Sequence, residues 1–227
     1  HGGEDPGATV QRGRLRVDEA ALTYRTALEL SRMLRSAGAT VRYTVRSKEL
    51  SSDNDIAEPL PRRPTDAVLI STGRPLRIRI GRSPRQLWQR AAVARQIWKS
   101  ATRIDPRASR DVFFLSLHYD DFHENNVAGG LVCVDRRIGD PPKIGVALAN
   151  ELVTHGWNRP DVADGHESLR RTELGVLDPR YNPVPQAALL EVATLSNLDD
   201  WNNALDPCCR RDVERAIVDA IEQVHAS

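Results

Sequence analysis

The 227-residue sequence lacks both a strong net charge and a long hydrophobic run. Lys and Arg number 32 and Asp and Glu number 31, so the formal net charge is only +1 and no overall field attracts nucleic acid. The longest apolar stretches, VFFLSL and AALLEVATL, are far shorter than the about 20 residues that a membrane-spanning helix needs. We therefore expect a globular protein with no transmembrane segment and no nucleic-acid partner.

Cysteine is also scarce, and its three positions exclude a zinc knuckle. Cys208 and Cys209 are adjacent and no second pair exists, whereas structural zinc sites need four spaced ligands. Cys133 lies in the apolar run GGLVCV, where a thiol is usually a small buried group. An odd count leaves at least one thiol free, and a disulfide from Cys208 or Cys209 to a distant partner stays open.

Helical and strand patterns alternate along the chain. Apolar spacing predicts helices over residues 18–37, 83–101, 143–156 and 210–225. Strands are predicted over 40–45, 111–119, 129–135 and 187–195, with a hairpin over 67–81 and a polar loop over 51–66. The fold class predicted is α/β: a single domain over residues 1–227 with a central, mostly parallel, twisted sheet and helices on both faces.

Two polar residues interrupt apolar strands. His118 ends FFLSLH, and Glu191 stands inside AALLEVATL, where an uncompensated carboxylate is costly. His1 opens the turn-forming stretch HGGEDPGA, and an acid begins the first predicted helix. Taken singly, these residues fit a core histidine, a structural ion pair and a frayed terminus. Taken together, they supply two imidazoles and a carboxylate for zinc plus a spare carboxylate, which suits amide hydrolysis.

The quoted stretches HGGEDPGA, FFLSLH and VPQAALLEVATLSN occur in an order that resembles the zinc-dependent N-acetylmuramoyl-L-alanine amidases. The motifs of that family are H-G-G-x-D-P-G-A, S-I-H and E-x-G-F-L-S-N. The resemblance implies that His1, Glu19 and His118 bind zinc and that Glu191 is the catalytic acid/base. Glu19 is preferred over Asp18 because its spacing along the first helix follows the family's helix.

The resemblance also implies a substrate and a location. The substrate is peptidoglycan, cleaved between N-acetylmuramic acid and L-alanine outside the bacterial cytoplasmic membrane, with a protein activator as a further partner. His123, Arg170 and Arg171 are predicted to contact this substrate. The alternatives are a zinc amide hydrolase acting on another peptide and a wall-binding or regulatory domain of the same fold.

The chain departs from the family pattern at several points. Tyr119-Asp120-Asp121 follows His118 where the family has A-N-A, and Val192, Ala193 and Thr194 replace the segment around the Gly-Phe pair. Residues 47–82 exceed the usual connection and are predicted to be an insertion. The family has a strand before its first histidine, so we expect an upstream segment that the sequence does not include.

Overall fold

The computed structural model describes residues 7–46, 67–68, 85–121, 127–159 and 168–227. The predicted loop over 51–66 lies outside these residues. The predicted hairpin over 67–81 and the predicted insertion over 47–82 also lie outside them, apart from residues 67–68.

The described residues form five α-helices and eight strands. The helices are α1 (Glu19–Ser36), α2 (Arg85–Ile104), α3 (Lys143–Thr154), α4 (Leu198–Leu205) and α5 (Pro207–His225). The strands are β1 (Thr9–Arg12), β2 (Leu15–Asp18), β3 (Val45–Arg46), β4 (Ala67–Val68), β5 (Phe113–Asp120), β6 (Leu131–Asp135), β7 (Leu169–Thr172) and β8 (Gln186–Thr194). Short 3-10 turns cover Pro106–Arg110 and Gly175–Leu177.

The main sheet of the described chain has the order β5-β8-β6-β7. The pairs β5–β8 and β6–β7 are parallel, whereas β6 runs antiparallel to β8. Two small antiparallel pairs, β1–β2 and β3–β4, complete the described strands. The predicted fold class is confirmed, with a sheet that is mostly but not purely parallel.

Helices cover both faces of this sheet, as predicted. On one face, α1, α3 and α5 pack over a large apolar cluster that includes Leu22, Val134 and Ile217. On the other face, Ala94 of α2 packs in a second cluster with Phe114 of β5 and Leu189 of β8. Both faces of the sheet are therefore shielded from water near its middle, while polar side chains are left for the strand ends.

Several predicted elements differ from those observed. In the segment predicted as a strand over 40–45, only Val45 belongs to one. Helix α5 begins three residues before the predicted start, because Pro207 occupies its first turn and the Asp206 side chain accepts a hydrogen bond from the Cys208 N–H at 2.7 Å. The sequence reading missed the β1–β2 hairpin, α4 and β7. The three cysteines are free thiols.

Among the described residues, none of the helices combines the length and the apolar character needed to cross a membrane.

Candidate active site

Glu19 and His118, two of the three residues predicted to bind zinc, meet at the start of α1. The His118 Nδ1 atom lies 2.9 Å from Glu19 Oε1, and the Glu19 residue is only 4% exposed. The Ala8 N–H donates to Glu19 Oε2 at 2.8 Å, and the Tyr119 N–H approaches Oε1 at 3.3 Å. The chain thus fixes one carboxylate oxygen by a backbone donor and turns the other toward the imidazole.

Asp18, the neighbouring acid, points elsewhere. Its Oδ1 accepts a hydrogen bond from the Thr9 hydroxyl at 2.8 Å and pairs with Arg16 at 3.2 Å, within the β1–β2 hairpin. Of the two acids that begin the first helix, Glu19 is therefore the one beside His118.

The second ring nitrogen of His118 is also held in place. Its Nε2 lies 3.1 Å from the Ser116 hydroxyl, two residues earlier on the same face of β5. Metal-binding histidines usually have such a partner on the other nitrogen, which fixes the orientation of the ring. Two ligands of one zinc ion lie roughly 3–3.5 Å apart, since each bond is about 2.0–2.2 Å long. The donor types and the 2.9 Å separation in the Glu19–His118 pair are close to what zinc requires.

Glu191 stands beside this pair. The parallel register of β5 and β8 places Glu191 opposite His118, on the face that α2 covers. Its Oε2 atom is buried and has no hydrogen-bond partner among the described residues. Burial, together with the negative charges of Asp120 and Glu19, raises the pKa of Glu191 to about 8, although Arg159 opposes the shift. A carboxyl group with such a pKa can both accept and return a proton near neutral pH.

A buried polar network that the sequence reading missed surrounds the ends of β5 and β8. Arg159 donates to Thr194 Oγ1 at 2.7 Å and pairs with Asp120 at 3.4 Å. The Asp200 carboxylate accepts from the Gly129 N–H at 2.8 Å and from the Thr194 N–H at 2.7 Å. Period-two spacing from His118 places Asp120 on the site face, but Arg159 lies in an irregular stretch that gives no such signal.

The two arginines predicted to contact substrate have different surroundings. Both lie in β7 and are exposed. The register of β6 and β7 places Arg170 beside Cys133. Burial raises the pKa of Cys133 to about 12. The charge of Glu191 raises it further and that of Arg170 lowers it, so both side chains are near this thiol. Arg171 donates to the backbone oxygens of Ile138 and Gly139 at 2.8 and 2.5 Å. Arg170 therefore belongs to the site region, whereas Arg171 holds the loop after β6.

Two predicted site residues, His1 and His123, lie outside the described residues. Within the described ranges, one group of three side chains has metal-binding atoms within 4.8 Å of one another: Glu151, His155 and Asp219. This group joins α3 to α5 and is separate from the predicted trio. The His155 Nε2 atom lies 3.9 Å from Glu151 and 3.8 Å from Asp219, distances that ion pairs explain.

Solved structures share this fold over nearly the whole chain. The CwlD amidase of Clostridioides difficile, solved in complex with the GerS lipoprotein, is 17% identical with a TM-score of 0.63, covering 100% of this chain and 94% of that one. The amidase Ami1 of Mycobacterium smegmatis is 17% identical with a TM-score of 0.63, over 98% and 90% of the chains. The catalytic domain of CwlV from Bacillus (Paenibacillus) polymyxa var. colistinus is 19% identical with a TM-score of 0.62, over 100% and 94%.

Comparison with curated proteins gives no match. The sequence profile of one family, described as N-acetylmuramoyl-L-alanine amidase, matches residues 1–223. Since that match spans almost the full sequence, the chain belongs to the N-acetylmuramoyl-L-alanine amidase family (Amidase_3).

Proposed function

We propose that the chain is a zinc-dependent hydrolase that cleaves the amide bond between N-acetylmuramic acid and the L-alanine of the peptidoglycan stem peptide. The observation that carries the proposal is the convergence of Glu19, His118 and Glu191 at one end of the sheet, in a member of this family. Two of these side chains suit a metal, and the third is a carboxyl group with a raised pKa.

Zinc would be held by Glu19 and His118, with His1 as the third ligand that the resemblance implies. When bound, zinc supplies Lewis acidity, which polarises a carbonyl group and makes water more acidic. Ser116 keeps the His118 ring in orientation, and Ala8 keeps the Glu19 carboxylate in orientation.

Glu191 would move the proton in this reaction. Its carboxylate takes a proton from the attacking water, and the new C–O bond forms at the amide carbonyl. The carboxyl group then returns the proton to the nitrogen as the C–N bond breaks, so the products are a carboxylic acid and a free amine. Burial raises the pKa of Glu191 toward neutrality, which suits a group that must both take up and release a proton.

Arg170 and His123 would bind the substrate. Arg170 is exposed in β7 beside Cys133, and a guanidinium group suits the carboxylates of a stem peptide.

Since this substrate lies outside the cytoplasmic membrane, we propose an extracytoplasmic location. The C. difficile amidase was solved in complex with a lipoprotein, and we propose that this chain also has a protein activator. The test is to add candidate lipoproteins to the purified enzyme and measure its activity.

The direct test is digestion of purified peptidoglycan, with mass spectrometry of the soluble products. We expect free stem peptides that carry a new L-alanine amino terminus, and none in a parallel digest with Glu191→Gln. Cleavage within the stem or between sugars would contradict the proposed bond specificity. Tight binding of wall fragments without cleavage, with zinc present, would favour a binding domain instead.

A further inference from the structure

Arg159 is a deeply buried cation close to the proposed catalytic carboxyl group. The residue is 1% exposed, and a buried charge must be compensated by polar partners. Its guanidinium donates to the Gly129 oxygen through Nε at 3.3 Å and Nη2 at 3.2 Å, and to Thr194 Oγ1 at 2.7 Å. Nη1 lies 3.4 Å from Asp120 Oδ2.

These partners bring together the strands that carry the site. Asp120 ends β5 two residues after His118, and Thr194 ends β8 three residues after Glu191. The register of these strands shifts between His118 and Asp120, so that Asp120 pairs with Thr194. The guanidinium of Arg159 therefore holds the two strand ends together just beyond the point where His118 and Glu191 face each other.

Arg159 places a positive charge among the acids around Glu191. Asp120 and Glu19 both place negative charge near Glu191, and Arg159 is the cation that opposes them. With Arg159 removed, the Asp120 carboxylate would lose this ion pair and keep its negative charge beside the proton-transferring group.

The same three residues also account for two departures from the family motifs. Asp120 stands at the asparagine position of A-N-A, and Thr194 stands at the phenylalanine position of E-x-G-F-L-S-N. Both side chains contact Arg159, so these two substitutions belong to one network rather than being independent changes.

We propose that Arg159 is a positioning residue for the amide hydrolysis proposed above: it balances the charge of Asp120 beside Glu191 and fixes the ends of β5 and β8. The inference rests on that proposed function. Arg159 does not contact the substrate in this role, because its side chain is enclosed by protein.

The test compares Arg159→Met, Asp120→Asn and the double variant, with zinc content measured for each. We expect Arg159→Met to lower kcat by at least about tenfold while KM changes little, because a charge acting only in the chemical step alters kcat. In the double variant both charges are gone and the balance is restored, but the hydrogen bonds to Gly129 and Thr194 are still missing, so kcat should recover in part, to a value between those of Arg159→Met and wild type. Zinc content should stay at the wild-type level throughout.

Arg159→Lys is a second variant that keeps the test valid if Arg159→Met does not fold. Lysine keeps the charge but not the fork of hydrogen bonds, so its kcat should lie between those of wild type and Arg159→Met. A double variant that is folded, binds zinc and is no faster than Arg159→Met would overturn the inference. So would a folded Arg159→Lys that loses as much kcat as Arg159→Met. A wild-type protein that releases no stem peptide overturns the proposed function itself, whereas an active wild type with no rescue overturns only the role of Arg159.

Discussion

At the scale of single residues, Glu191 combines features that disfavour stability. Its Oε2 atom is buried without a partner among the described residues, and like charges lie nearby. A buried, unsatisfied acid costs about 1–3 kcal/mol in a typical protein. Such a cost is expected where a residue is retained for chemistry rather than for packing.

Glu191→Gln separates these two roles. Glutamine keeps the shape of the side chain but cannot accept a proton, so turnover should fall about 10²–10⁴-fold. Since the substitution removes a disfavoured buried acid, the melting temperature should stay the same or rise. Both quantities are measured on one preparation, together with zinc content. A lowered melting temperature with nearly intact specific activity would instead identify Glu191 as a structural ion-pair partner.

The metal assignment can be tested with two histidine variants. His118→Ala should lose the bound zinc, which in wild type should amount to about one ion per chain for a three-ligand site. His155→Ala is the matched control, because His155 lies in the separate cluster with Glu151 and Asp219. Metal analysis after dialysis decides the matter. Zinc that survives His118→Ala and disappears in His155→Ala would place the metal between α3 and α5.

The residues of the site differ in how readily the sequence reveals them. His118 and Glu191 could be predicted because a polar residue inside an apolar strand is conspicuous. Arg159 could not, since it follows α3 in an irregular stretch and its partners Gly129 and Thr194 are 30 and 35 residues away in sequence. A hydrogen-bond network assembled across that distance leaves no local pattern in the chain.

At the scale of secondary-structure elements, the long helices follow from the sequence more readily than the short strands. Helices α1, α2 and α3 have an apolar face repeated over several turns, and their predicted positions agree with the structure to within a few residues. Strand β7 has four residues, two of them exposed arginines, so it carries no alternating pattern. Its place is decided by parallel pairing with β6, which is a tertiary effect.

Arg170 and Arg171 are adjacent exposed residues of β7, so each serves as a control for substitution of the other. Arg170→Ala should raise KM for muropeptides that keep the stem carboxylates by about tenfold, since a charged hydrogen bond is worth about 1.5–3 kcal/mol at most. Arg171→Ala should leave KM near the wild-type value, because that side chain binds the backbone of Ile138 and Gly139. Steady-state kinetics with the two variants tests this. Equal effects on KM would show that β7 presents neither arginine specifically.

Gly129 illustrates how a connection before β6 supports the site. Its φ is +88°, and an added Cβ would lie 2.2 Å from the Asn158 oxygen. Its own N–H donates to Asp200, and its oxygen accepts from Arg159. Gly156 has a comparable φ of +73°, but no atom lies within 4 Å of an added Cβ.

Alanine at these two glycines should therefore have unequal effects. Gly156→Ala should cost about 1–2 kcal/mol in the free energy of unfolding, the usual penalty for a left-handed residue with a side chain. Gly129→Ala should cost clearly more, because the backbone of Asn158 must also move, and the activity of its folded fraction should fall with the displaced Arg159. Denaturant unfolding of both variants measures the difference. Equal losses would mean that the segment before β6 adjusts freely.

At the scale of the whole molecule, a second buried acid lies among the helices of the larger core. Glu214 of α5 is fully buried, and neither carboxylate oxygen has a hydrogen-bond partner among the described residues. Burial, followed by the charge of Glu29 on α1, raises the pKa of Glu214, while Arg210 and Arg211 oppose the shift. Arg210 also donates to the Ala204 and Leu205 oxygens at the end of α4. The free energy of folding therefore depends on the protonation state of this carboxyl group.

This dependence predicts how stability changes with pH. The pKa of Glu214 is higher in the folded state than the value of about 4.3 in an unfolded chain, so the folded state binds this proton more tightly. The stabilisation is complete below that value and is lost as the pH rises toward and beyond neutrality. Glu214→Gln imitates the protonated form, so its free energy of unfolding should exceed that of wild type by at least about 1 kcal/mol at pH 8 and by little at pH 4.5. Glu222→Gln, an exposed position on the same helix, should show no such trend. Urea unfolding at the two pH values tests the prediction, and a pH-independent difference between Glu214→Gln and wild type would show that Glu214 stays ionised in the folded protein.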